Sequence, residues 1–242
     1  MYSPRLHELS TTGFHKGKDN RQRLKFNYSL YHQNIFFNKK LKQNKNNVER
    51  DILDIYFSSF FSSWFNYRDN NSKKKFITGF WPMLCHKKSN LDLYFKIYPD
   101  GKVISIFRDP VSWYVSAKNH KSTSQWFVNI QEAALLWNHT NKQILEAHRN
   151  YKEKVLIIKF EELVKFTEKN MKKISKFLKI RFQKSMLQPT FNGESVESNS
   201  SFKTSIGIDR KVISRNGKLL KTEKDYLRNN TKDIFNELNK LT

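Results

Sequence analysis

Residues 103–107, VISIF, form a nearly continuous apolar run that stops at Arg108-Asp109-Pro110. A short run without polar alternation is the pattern of a strand buried on both faces of a parallel sheet. Asp109 is a good helix N-cap and Pro110 is favoured at the first helical position, so a helix is predicted to start directly after Arg108. Arg108 is thereby placed at the carboxyl end of a buried strand, beside a helix N-terminus. In open α/β sheets ligands bind at that edge, and a helix N-terminus adds donors and positive potential for an anion.

The rest of the chain supplies the alternation such a strand needs. In VERDILDIYFSSFFSSWF, apolar residues at 52, 53, 56, 57, 60, 61 and 64 have the spacing of an amphipathic helix. KFITGFW, 75–81, is bounded by Pro82 and predicts another strand. Helical periodicity runs from Ile130 to Arg149, KVLIIKF at 154–160 predicts a third strand, and EELVKFTEKNMKKISKFLKI predicts the helix after it. Strand and helix in turn indicate an α/β fold, with the three strands as parallel neighbours in one sheet. The C-terminal segment, 221–242, reads as a surface helix. Residues 1–47 are polar and basic, with KKLKQNKNN at 39–47 having the composition of an exposed loop. A chain of 242 residues fits one large domain.

The net charge of +23 points to an anionic ligand: nucleic acid, a phosphorylated cofactor, an acidic glycan or a membrane surface. Part of the excess is compositional, because Lys, Asn, Phe and Ile are enriched together. A single cysteine, Cys85, excludes an intramolecular disulfide and an all-cysteine metal site. No run approaches a membrane span and the N-terminus lacks the apolar core of a signal peptide, so a cytoplasmic location is expected. No spacing suggests a metal site.

KVISIFRDPVSWYVSA resembles the 3′-phosphate-binding segment of PAPS-dependent sulfotransferases, where a strand, Arg-Asp/Asn-Pro and a serine eight residues after the arginine recur. VLIIKFEELVKFTEKNMKKISKFLKI is similar to that family's strand, acidic turn and helix. LQPTFNGESVESNSSF is similar to a stretch of its bacterial members, so the resemblance spans residues 76–220. It implies a three-layer fold like that of P-loop NTPases, with a central, mainly parallel sheet. It also implies PAPS (3′-phosphoadenosine 5′-phosphosulfate) as sulfuryl donor, adenosine 3′,5′-bisphosphate as product, no metal, and a carbohydrate-like acceptor.

By the same resemblance, Arg108 pairs with the 3′-phosphate and the Ser116 hydroxyl donates to it. Arg215 and Gly217, in Ser-Arg-Asn-Gly-Lys at 214–218, correspond to a late Arg-x-Gly element, and Phe160 stands where relatives carry a tyrosine near adenine. Read from the residues alone, Arg108 could instead form a strand-end ion pair with Asp109 or Glu162, Ser116 could be an exposed helix serine, and Phe160 could be core. The strand-end context favours the phosphate role for Arg108.

The sequence departs from the family in its first element. No Lys/Arg-Ser/Gly-Gly-Thr-Thr loop for the 5′-phosphosulfate is present, and Gly13-Phe-His-Lys-Gly17-Lys18-Asp19 is one residue short of a Walker A loop. The chain is therefore expected to begin after the first strand and loop, and to have little activity. Phe80 stands where cytosolic relatives carry a histidine base. Carbohydrate-type relatives use a glutamate shortly after the first helix, and by that resemblance Glu8, with His7 beside it, is the nearest candidate base. Read from the residues alone, Glu8 could be an exposed terminal carboxylate. His86 and His120 lie near loops expected to face the ligand. The competing reading is a non-enzymatic basic protein that binds nucleic acid or an acidic polymer. Scattered charges and the lack of RNA-binding signatures or zinc spacings disfavour it.

Overall fold

The computed structural model describes residues 29–45, 48–63, 76–81, 84–119, 129–191, 194–195, 207–214 and 219–242. The chain divides into two compact units, one of residues 1–80 and 190–196, the other of residues 81–189 and 197–242.

In the smaller unit, α1 (Leu30–Gln43) and α2 (Glu49–Ser62) pack together. Ser29 caps α1 by accepting from the His32 amide at 3.3 Å, and Phe37 meets Tyr56 of α2 edge-on at 6.3 Å. Residues 39–43, expected as loop, instead complete α1. Lys, Leu and Gln are good helix formers, and Lys40 and Lys42 sit at the negative end of the helix dipole.

The larger unit follows the predicted alternation. A 3₁₀ turn (Leu84–His86) and α3 (Lys88–Ile97) precede β1 (Val103–Phe107). Then come α4 (Pro110–Lys118), α5 (Ile130–Asn150), β2 (Val155–Lys159), α6 (Phe160–Lys165) and α7 (Thr167–Leu178). The strands are parallel neighbours, Val103 opposite Val155 through Phe107 opposite Lys159. Two-residue strands β3 (Thr190–Phe191) and β4 (Glu194–Ser195) form a separate antiparallel pair in the smaller unit. A final helix, α8 (Lys221–Asn239), closes the larger unit.

Side chains alternate across a strand, and paired residues of parallel strands share a face. Val103, Phe107, Val155 and Ile157 therefore enter one core with Cys85, Leu91, Phe95, Trp137, Leu145 and Leu238. Phe107 lies against Phe235 of α8, and the Lys159 ammonium stands over the same ring at 4.9 Å. Arg108, next in the alternation, leaves from the opposite side.

Two expectations are corrected. Residues 76–81 of KFITGFW form no strand: Phe80 is 94% exposed, and Phe76, Ile77 and Trp81 are exposed too. An apolar run becomes a strand only with a ladder partner, and β1 and β2 pair with each other. The helix after β2 breaks at Phe166, whose φ of −120° is not helical, giving α6 and α7. The C-terminal helix α8 forms where expected, with much of its length exposed and Leu227, Thr231 and Leu238 as its buried stripe. No described helix is long and apolar enough to cross a membrane.

Candidate functional site

The carboxyl ends of β1 and β2 bring Arg108, Phe160 and Glu161 together. Arg108 is held on three sides. One terminal nitrogen donates to the Val212 carbonyl at 3.0 Å, the guanidinium lies over the Phe160 ring at 4.8 Å, and Nε is 3.9 Å from Glu161 Oε1. Its own carbonyl accepts from the Trp137 indole at 3.2 Å. With 17% of its side chain exposed, Arg108 is fixed in orientation yet reachable from solvent. Such an arginine can present a preoriented fork to a phosphate or sulfate.

The turn after β1 owes its shape to two carboxylates. Asp109 accepts from the Ser112 amide at 2.8 Å, as an N-cap does, and Pro110 occupies the first helical turn. Glu161 accepts from the Asp109 amide at 3.1 Å, so the start of α6 braces the start of α4. One expected feature is thereby modified. The Asp109 carboxylate takes up the Ser112 amide, one of the N-terminal donors of α4 that an anion would otherwise use. The strand-end ion pair also involves neither Asp109 nor Glu162: its acid is Glu161.

Of the other sequence-predicted residues, Ser116 is half-buried about two turns into α4. Phe160 opens α6 half-buried and serves as the platform under Arg108. Glu8, His7, Arg215, Gly217 and His120 lie outside the described residues, as does the 13–19 segment. The 3₁₀ turn Arg210–Ser214, which contributes the Val212 carbonyl, leads directly into the segment holding Arg215 and Gly217. His86 pairs with Thr140 of α5 at 3.5 Å, and burial followed by the nearby charge of His139 lowers its pKa. Among the described residues, no group of three or more His, Cys, Asp or Glu is placed to hold a metal ion.

Sequence reasoning missed Glu161, Val212 and Trp137 as partners of Arg108. Two adjacent glutamates follow β2, and choosing between them requires the phase of α6. Trp137 carried the signal of a core position on a periodic helix, and a backbone carbonyl carries no sequence signal at all.

The profile described as "Sulfotransferase family" matches residues 3–184. No curated protein sequence matches the chain. Among solved structures, the chain is similar to the sulfotransferase domain from the curacin biosynthetic pathway, with 17% identity and a TM-score of 0.51. That alignment covers 88% of this chain and 82% of the other. It is also similar to the sulfotransferase domain from the Synechococcus PCC 7002 olefin synthase, at 15% identity, 81% and 74% coverage and a TM-score of 0.48.

Proposed function

The chain belongs to the sulfotransferase family, and from that premise we propose that it takes its sulfuryl group from PAPS and passes it to a hydroxyl or amine of a carbohydrate-like acceptor. The bound donor supplies an activated sulfuryl group, whose S–O bond to the 5′-phosphate breaks as the acceptor atom bonds sulfur. Arg108 holds the 3′-phosphate through a charge-assisted pair, and the Ser116 hydroxyl donates to another of its oxygens. Phe160 holds the guanidinium against its ring, which would keep it oriented for the phosphate. Arg215 and Gly217 complete the 3′-phosphate site from the segment after Val212. Glu8, assisted by His7, takes the acceptor proton.

One observation carries the donor site: an arginine at the carboxyl end of a parallel strand, oriented by a ring, a carbonyl and a carboxylate, and still open to solvent. Phosphate binding is consistent with that geometry because a guanidinium presents its N–H donors as a planar fork that matches phosphate oxygens.

Arg108→Ala is expected to weaken binding of adenosine 3′,5′-bisphosphate by about 2–3 kcal/mol. Titration calorimetry on both forms measures this, with circular dichroism checking that the variant is folded. Equal affinities would remove Arg108 from the site.

A further inference from the structure

A second cationic feature lies on α7. Lys169, Lys172, Lys173 and Lys176 follow one another at i, i+3, i+4 and i+7, which puts all four on one face of the helix. The face runs for about 10 Å along the axis. Lys179, Arg181 and Lys184 continue it as exposed residues. Between residues 163 and 189 the sequence has eight basic residues and a single carboxylate, Glu168, which pairs with Lys172 at 2.6 Å. The remaining charges face one another uncompensated: Lys173 has its pKa lowered by burial and then by Lys169. Like charges at i, i+4 destabilise an isolated helix, so this face works against the helix that carries it.

The end of the helix makes the same point independently. Lys179 occupies the left-handed C-cap with φ 55° and ψ 41°. It is the one non-glycine residue of positive φ among the described residues, at a position where glycine is the unstrained choice. The chain keeps an ammonium there at a conformational cost.

We infer that the face formed by Lys169, Lys172, Lys173, Lys176 and Lys179 is a binding site for a sulfated polysaccharide chain. A row of separated ammonium groups complements a polymer carrying fixed anions at intervals. A membrane is disfavoured because the residues on the other side of the helix are turned into the protein. Ser175 reaches Met186 of the following 3₁₀ turn at 3.4 Å, and α7 packs on β2, so the apolar side of the helix is spent on the protein's own core. Nucleic acid is disfavoured because ammonium groups already lie on the neighbouring rings and compete with a base for them: Lys102 over Phe177 at 5.0 Å, Lys172 over Phe182 at 5.4 Å and Lys165 over Phe166 at 5.0 Å. The choice of sulfate as the anion rests on the sulfuryl transfer proposed above, whose products on a carbohydrate carry that charge.

The test uses the full chain and dextran sulfate as probe, with neutral dextran as control, titrated at several salt concentrations. Three substitutions together, Lys169→Gln, Lys173→Gln and Lys176→Gln, are expected to weaken dextran sulfate binding about tenfold at low salt and to flatten its dependence on salt. Lys179→Gly separates folding from binding: it is expected to leave the melting temperature equal or higher while lowering affinity. Both variants should bind adenosine 3′,5′-bisphosphate as the parent does, whereas Arg108→Ala should lose the nucleotide and keep the polysaccharide. Failure of the donor site and failure of this face are thus read separately. Unchanged affinity and salt slope in the triple variant would overturn the proposal. So would tighter binding of duplex DNA, or of vesicles rich in anionic lipid, at the same ionic strength.

Discussion

At the scale of single residues, the proposed donor site turns on how Arg108 would divide its charge between its own protein and a phosphate. Glu161 does two things that one substitution can separate. Its carboxylate accepts from the Asp109 amide at 3.1 Å and places a negative charge 3.9 Å from Arg108 Nε. Glu161→Gln keeps an acceptor for the amide and removes the charge. Adenosine 3′,5′-bisphosphate is therefore expected to bind the variant more tightly, by about 0.5–1 kcal/mol, since a partly screened ion pair no longer competes for the guanidinium. Calorimetry beside the Arg108→Ala titration checks it. A weaker complex would mean instead that Glu161 acts by aiming the arginine. Arg108 itself was legible from its place after an apolar run and before Asp-Pro. Its acid was not, because Glu161 and Glu162 are chemically identical and only the start of α6 distinguishes them.

At the scale of elements, α8 shows how few buried side chains anchor a polar surface helix. Its composition is polar, yet Leu227 and Leu238 are fully buried and Phe235 packs on Phe107 and Trp137. The helix thus covers the carboxyl end of β1 on the face opposite Arg108. Leu238→Ala is expected to cost about 2.7–5 kcal/mol, the range for a buried leucine whose cavity cannot fully collapse. Urea denaturation gives the value, and a loss under about 1 kcal/mol would show that α8 is peripheral to the core. Lys159 adds a second tie, donating to Asn239 at 2.7 Å. The other helices were easier to read. Apolar residues at three- and four-residue intervals in 52–64 and 130–149 encode a helix locally, and the observed α2 and α5 match them to within a few residues.

At the scale of the whole molecule, the single cysteine reports on the larger unit. Cys85 is buried in the main core; burial raises its pKa, and a hydrogen bond from Ser105 only partly opposes the shift. A thiol reagent at neutral pH should thus react only through opening of that core, at a rate that rises with denaturant as unfolding does. Fast labelling in native buffer would contradict the burial. Because the folded pKa lies above the unfolded one, the stabilising contribution is complete at neutral pH and is lost as pH rises through the folded thiol's pKa. The sequence by itself determined what local chemistry can encode: the β1 strand, the Asp109 cap with Pro110 behind it, the phases of α2 and α5, and an arginine poised at a strand end. Tertiary structure alone decided which partners those elements meet. Residues 76–81 carry a strand-like composition but form no strand, α8 is anchored on the core by Leu227 and Leu238, and Arg108 is oriented by a carbonyl 104 residues away. Periodicity and capping act within a few residues of chain, whereas burial and hydrogen-bond partnership depend on segments that only the fold brings together.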